Sequence, residues 1–146
     1  MDTYETLNEV LVKLFNDIMA IEEKAIIIDE FKDITNNDMH VIEAIGRDGS
    51  KSMSTVAKAL SVTVGTLTIA INNLVKKGYV NRERSEKDRR VVLISLTEKG
   101  KRAFGHHRKF HEDMIEATIQ GLDPEETEVL VHSLTNLKEF FRNYGK

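Results

Sequence analysis

Apolar residues recur along this chain with two different periods. Over most of its length they return every third or fourth residue, as on the buried face of a helix; only between about residues 79 and 96 do they alternate as in a strand. Thr3 to Ile28 is predicted as one long helix, with Tyr4, Leu7, Val10, Leu11, Leu14, Phe15, Ile18 and Ile21 as its stripe. That stripe is too apolar for a solvated arm. The run Ala25-Ile26-Ile27-Ile28 is apolar on every side and points to an interface or a ligand channel. After a connector at Asp29 to Asp33, the N-cap residues Thr35, Asn36, Asn37 and Asp38 open a helix to about Ile45, with Met39, Ile42 and Ile45 inward. Gly46 to Gly49 end it.

The stretch from Lys51 to Leu96 is the organising one. A short helix is expected over Ser54 to Leu60, capped by Ser52 or Ser54, then a turn at Ser61 to Thr63, then a helix over Val64 to Lys77 stopped by Gly78. Strands Tyr79 to Arg84 and Arg90 to Leu96 follow, joined by the charged turn Ser85 to Arg89. Helix, turn, helix and charged hairpin is the layout of a winged helix-turn-helix, a DNA-reading module. In its second helix Val64, Leu67, Ile71, Leu74 and Val75 can face a core, while Thr63, Gly65, Thr66, Thr68, Asn72 and Asn73 lie opposite. Thr and Asn are poor helix formers, and a merely solvated face usually carries Glu, Lys and Gln. Short polar side chains beside a glycine suit close approach to base edges and phosphates. The hairpin tip holds Lys87, Arg89 and Arg90 beside Asp88. Arginine on a narrow ribbon suits a minor groove. A carboxylate is repelled by phosphate, so Asp88 reads as a buttress for an arginine. The expected DNA-contacting set is Ser52, Thr63, Gly65, Thr66, Thr68, Asn72, Asn73, Arg84, Lys87, Asp88, Arg89 and Arg90.

Beyond the wing, Thr97 caps a helix to about Gln120 with Ala103, Phe104, Phe110, Met114, Ile115 and Ile119 as apolar positions. Gly121 stops it. Asp123-Pro124-Glu125-Glu126 is a strong start for a last helix to about Tyr144, striped by Val129, Leu130, Leu134, Leu137, Phe140 and Phe141. One winged module needs about three helices. The additional apolar helices at both ends call for a like partner, and a two-fold homodimer would place two recognition helices in successive major grooves. The expectation is a mainly α fold with a small β-wing in one domain over 1–146, with 35–96 as the DNA-binding module and 1–34 and 97–146 as dimerisation helices.

Composition refines this picture. The net charge of -3 at first argues against nucleic acid, but residues 76–109 carry +8 and the remainder -11. The basic charge lies on and just after the hairpin, an electrostatic footprint with a direction. The absence of cysteine removes disulfides and thiolate metal sites. A polar, acidic start without a signal peptide, and no apolar run of spanning length, make a cytoplasmic protein the expectation.

The wing is also the most specific motif. Asp88-Arg89-Arg90 followed by Leu96-Thr97-Glu98-Lys99-Gly100 matches the Asp-x-Arg and Leu-Thr-x-x-Gly pattern of the MarR family of bacterial transcription regulators, which the chain resembles over essentially its whole length. The resemblance implicates Arg90 as the wing arginine, with Asp88 as its partner, and Val64 to Lys77 as the recognition helix. Within the family the chain looks most like the repressors of fatty-acid synthesis genes in Gram-positive bacteria. The resembling segments include Phe31-Lys32-Asp33-Ile34, Val62-Thr63-Val64-Gly65-Thr66, Lys77-Gly78-Tyr79 and Phe110-His111. Those repressors bind a palindromic operator more tightly with a long-chain acyl group on acyl carrier protein as corepressor. The resemblance then implies an acyl tunnel, with Phe15, Ile18, Met19, Ile26, Ile27, Phe31, Met39 and Ile42 as lining. Lys101, Arg102, Arg108 and Lys109 become the dock for the acidic carrier protein. No cofactor is required beyond this acyl effector.

Four of the five histidines, His40, His106, His107 and His111, bear on a second reading. His107 and His111 share a helix face at i, i+4, a spacing that suits a metal. Zinc-sensing members of the family imply that Glu22 and His40 join them, giving a zinc-responsive repressor; the competing reading is a buried His/Glu network holding the helices together. An enzyme is not expected, because no nucleophile with a base, phosphate loop or paired carboxylates is present. A protein-interaction module that binds no DNA is the remaining class, and it predicts no salt-dependent DNA binding.

Overall fold

The structure, a computed structural model, describes residues 2–26 and 30–145, with residues 22, 23, 25 and 26 described by backbone only. The chain divides into two compact units, Met1–Phe110 and His111–Lys146. The first holds α1 (Thr3–Ile26), α2 (Asn36–Ile45), β1 (Lys51–Ser52), α3 (Met53–Ala59), α4 (Val64–Lys77), β2 (Val80–Arg84), β3 (Val92–Leu96) and the first half of α5 (Glu98–Ile119). The second holds the end of α5 and α6 (Pro124–Asn143). Of the apolar run Ala25 to Ile28, Ile27 and Ile28 lie outside the described residues.

The elements form where capping and periodicity placed them. Thr35 and Asp38 make a reciprocal capping box at α2, Ser52 caps α3 and Thr63 caps α4, each through a side-chain oxygen that accepts a backbone N–H. Asp123 and Glu126 form a second capping box at α6, with Pro124 in the first turn. Gly78, at φ +89°, ends α4 in the left-handed region and donates its N–H to the Leu74 and Val75 carbonyls. The core of the first unit is built from the inward faces of α2, α3 and α4 and one face of the sheet. Ile42, Ile45, Val56, Ile71, Leu74, Tyr79 and Ile94 are fully buried there. Burial of such aliphatic side chains stabilises a fold by about 1.5–3 kcal/mol each, before the opposing chain entropy.

The sheet departs from expectation in two ways. It has three strands rather than two, in the order β1-β3-β2, because the residues just before α3 pair with β3 (Lys51 opposite Ile94, Ser52 opposite Leu93). A two-residue strand carries no alternation to read. The wing turn is also longer than expected, since β3 begins at Val92, not Arg90. Val91 donates its N–H to the Asp88 carbonyl and Ser85 donates to the Val91 carbonyl, which closes a turn around the tip before the ladder can start. Val64, expected in the core, is 46% exposed because it opens α4 on the side facing the wing.

Tyr79 joins three parts of the first unit. It directly follows the cap of α4, its ring lies 6.4 Å from Phe31, and its hydroxyl donates a 2.5 Å hydrogen bond to Asp33 Oδ1 in the α1–α2 connector. Lys99 of α5 sits over the same ring at 4.5 Å. Beside it, Lys77 donates to the Asp33 carbonyl (2.7 Å) and pairs with Asp38 (3.0 Å). Burial, with the Asp33 carboxylate next to it, pushes the Tyr79 phenol well above its usual range, while the hydrogen bond from Tyr79 holds Asp33 below the ordinary carboxylate range. The fold therefore favours the protonated phenol. Its contribution is complete below the unfolded phenol value of about 10 and is lost as pH rises above that. Tyr79→Phe is expected to cost about 1–2 kcal/mol at neutral pH and to flatten the fall of Tm with pH between roughly 9 and 12. Parallel alkaline melting curves for wild type and variant would contradict this.

In both units helices carry apolar side chains on the outside. Tyr4, Leu7, Phe15 and Met19 of α1 are about half exposed or more, and Leu11 and Ile18 are half-buried. No residue of α6 is buried, and Val129, Leu134, Phe140 and Phe141 stand open. Among the described residues no single helix is long and apolar enough to cross a membrane.

Candidate nucleic-acid interface

α4 turns Leu67, Ile71 and Leu74 into the core. By the 3.6-residue period the opposite face is Gly65, Thr66, Ile69, Asn72, Asn73 and Lys76, all exposed. The expected polar residues divide by what their side chains do. Thr63 accepts from the Thr66 N–H (3.1 Å) and its hydroxyl donates to Thr66 Oγ1 (3.0 Å), so it shapes the helix start. Ser52 is bound in the same way at α3, to the Thr55 N–H and hydroxyl. Thr68 is half-buried and donates to the Val64 carbonyl at 2.8 Å. Gly65, Thr66, Asn72 and Asn73 lie exposed on the outward face.

The wing arginines are ordered by local acceptors. Asp88 accepts from Arg90 Nε at 3.0 Å and Nη2 at 3.1 Å, and from the Arg90 backbone N–H at 3.1 Å. That bidentate grip leaves three guanidinium N–H bonds pointing away. The Arg90 side chain is 91% exposed. Arg90 beside it holds the Asp88 carboxyl below the ordinary range, and Asp88 raises Arg90 in turn. Arg84 donates to the Arg89 carbonyl at 2.8 Å, which braces the base of the turn. Lys87 and Arg89 are exposed at the tip. Between wing and α4 runs a groove of about 580 Å³ lined by Ser52, Val64, Thr68, Arg82, Arg84 and Arg90 among others.

Arg82 was not in the expected set. It projects from β2 and donates to Asn72 Oδ1, tying wing to recognition helix. With its oxygen accepting from Arg82, the exposed Asn72 side chain still has two amide N–H donors. The signal lay in the Arg-x-Arg alternation at Arg82 and Arg84, which puts two arginines on one strand face.

The effector residues are distributed differently from expectation. Phe31, Met39 and Ile42 are core side chains (2%, 2% and 0% exposed), whereas Phe15 and Met19 are exposed on α1 and Ile18 is half-buried. The side chain of Ile26 and all of Ile27 lie outside the described residues. Phe31, Ile34, Met39, Ala103, His106 and His107 enclose a gap with no room for a water molecule. Among the cations expected to dock the carrier protein, Arg102 donates to Glu30 at 2.6 Å and Lys101 pairs with Glu98 at 3.6 Å; Arg108 and Lys109 are exposed. Of the histidine set, His107 is buried and its Nε2 lies 2.8 Å from Glu43 Oε1, while His40 is exposed with Nδ1 3.9 Å from Glu43. His111 belongs to the second unit, and the Glu22 side chain lies outside the described residues. The acid that meets His107 is thus Glu43. His40 and Glu43 at i, i+3 on α2 were the available clue.

The profile of the transcriptional regulator SarA/Rot family matches residues 24–106. The HTH-type transcriptional regulator YfiV of Bacillus subtilis is 30% identical over 78% of this chain and 71% of its own. The crystal structure of Streptococcus pneumoniae FabT in complex with DNA is 44% identical, covering 96% of this chain and 98% of that one, with a TM-score of 0.83. MarR of E. coli, solved with operator DNA, shares the fold at 24% identity and a TM-score of 0.59 over 94% of this chain and 99% of that one. A winged helix with an outward polar face on α4, an arginine held at the wing tip and these likenesses together make the chain a member of the SarA/Rot family of MarR-type winged-helix regulators, a DNA-binding transcriptional regulator.

Proposed function

We propose that this protein represses fatty-acid synthesis genes, binding a palindromic operator as a homodimer with a long-chain acyl group on acyl carrier protein as corepressor. The observation that carries the reading is the 44% identity with FabT across 96% of the chain, together with the segments that resemble fatty-acid repressors. Dimerisation is supported by the open apolar faces of α1 and α6, since contiguous exposed apolar surface of this kind marks association sites.

The packing of the first unit supports a route from effector to DNA. Phe31 lines the closed gap and its ring lies 6.4 Å from that of Tyr79, which directly follows the cap of α4. An acyl chain entering at Phe31 has to displace that ring. The displacement reaches Tyr79, Asp33 and Lys77, the groups that hold the end of the recognition helix. The effector acts by binding the operator-competent arrangement more tightly than the other, and its whole effect equals that difference in affinity.

Fluorescence anisotropy on a palindromic fatty-acid-gene promoter fragment tests the proposal. Long-chain acyl carrier protein is expected to tighten binding about 5- to 100-fold, and neither the unacylated carrier nor zinc after chelation is expected to shift it. A response to zinc alone would replace the acyl effector with the histidine cluster.

A further inference from the structure

We infer that Ile69 is a specificity-determining residue that reads the C5 methyl group of a thymine in each half-site. Ile69 is 67% exposed and lies at the centre of the outward face of α4. Gly65 and Thr66 stand one turn before it, Asn72 and Asn73 one turn after. Every other residue on that face is polar, charged or glycine. A lone exposed isoleucine elsewhere on a surface needs no explanation. At this position it works against the helix. Its branched side chain loses rotamer freedom, it can make no hydrogen bond, and at 67% exposure it buries little surface for α4.

The occupant follows from the surroundings. Lys76 on the same face, and Arg82, Arg84 and Arg90 on the neighbouring wing, demand a polyanion and disfavour an apolar protein surface. Gly65 has no Cβ, and only Thr63 Oγ1 lies within 4 Å of where one would sit, so the helix start can come close to a duplex. In a major groove the single apolar feature of a base edge is the thymine methyl. An isoleucine flanked by hydrogen-bonding groups matches a thymine flanked by polar edges. Asn72, its oxygen held by Arg82, offers donors to base acceptors one turn away.

This inference rests on DNA reading by α4, and the test separates the two. A duplex is selected in vitro with the wild-type protein, and each thymine is replaced singly by deoxyuridine, which removes only the methyl group. Wild type is expected to lose about three- to fivefold affinity at one thymine per half-site, the effect of one buried methyl. Ile69→Ala is expected to bind the thymine duplex correspondingly more weakly and to show no loss on uracil substitution there; Ile69→Val is expected to keep most of it. Equal sensitivity to uracil in Ile69→Ala at every position would overturn the assignment, as would a wild type indifferent to all the replacements. Low-salt binding to random duplex, expected unchanged in both variants, excludes misfolding as the cause. If wild type selects no sequence at all, base reading by α4 falls, and this assignment falls with it.

Discussion

Gly100→Ala is expected to lower stability by about 3 kcal/mol, a fall in Tm of roughly 10 °C. A Cβ at residue 100 would stand 2.2 Å from the Tyr79 carbonyl oxygen and 3.2 Å from Leu96 Cβ. The carbonyl cannot swing aside cheaply. It accepts the Thr97 N–H at 3.0 Å, and the Thr97 hydroxyl donates to the Gly78 carbonyl at 2.6 Å while accepting the Gly100 N–H at 3.1 Å. The start of α5 is therefore pinned against the end of α4 by backbone groups, which have no alternative rotamers. Gly105→Ala is the internal control. It lies in the same helix with nothing within 4 Å of where the added methyl group would sit, and should stabilise by about 0.5–1 kcal/mol. Equal melting temperatures for the two variants would show that the contact yields easily.

Arg90→Ala should weaken operator binding by about 1–3 kcal/mol, or roughly 5- to 150-fold, and lower the salt slope by about one. Two effects add. DNA binding would lose a guanidinium whose orientation Asp88 has already set, so that little rotamer entropy is lost on binding. Asp88 is also left without its arginine at the tip, where a carboxylate is repelled by phosphate. Arg90→Lys separates these terms, because it keeps the charge and loses the bidentate fork. A lysine variant near wild type would reduce the arginine to a point charge. An unchanged binding curve for Arg90→Ala, measured across several salt concentrations, would remove the wing from the mechanism.

Helices and their ends were legible in the sequence because their causes are local. Thr35, Ser52, Thr63 and Asp123 each cap a helix through a contact three residues away, and Gly78 closes α4 through its own backbone. The wing was legible for the same reason: Asp88 and Arg90 are two residues apart and meet whatever surrounds them. The apolar stripe that buries Leu67, Ile71 and Leu74 also defined which face of α4 looks outward.

What escaped the sequence depends on contacts between distant residues. The β1–β3 pairing, Arg82 on Asn72, Tyr79 on Asp33 and His107 on Glu43 join positions that no period links. Phe31 and Met39 are core residues because the connector folds onto α5, whereas composition alone allows any apolar residue to line a channel. The outward position of Ile69 follows from the helical period, but its exposure does not, since an isoleucine is ordinarily buried by some neighbouring element. By itself the sequence determined the order of elements, the outward polar face of α4 and the charged tip, each set by short-range capping, periodicity and charge. Only the tertiary structure decided which side chains are spent holding the fold together and which remain outward, because burial and hydrogen-bond pairing are properties of neighbours in space.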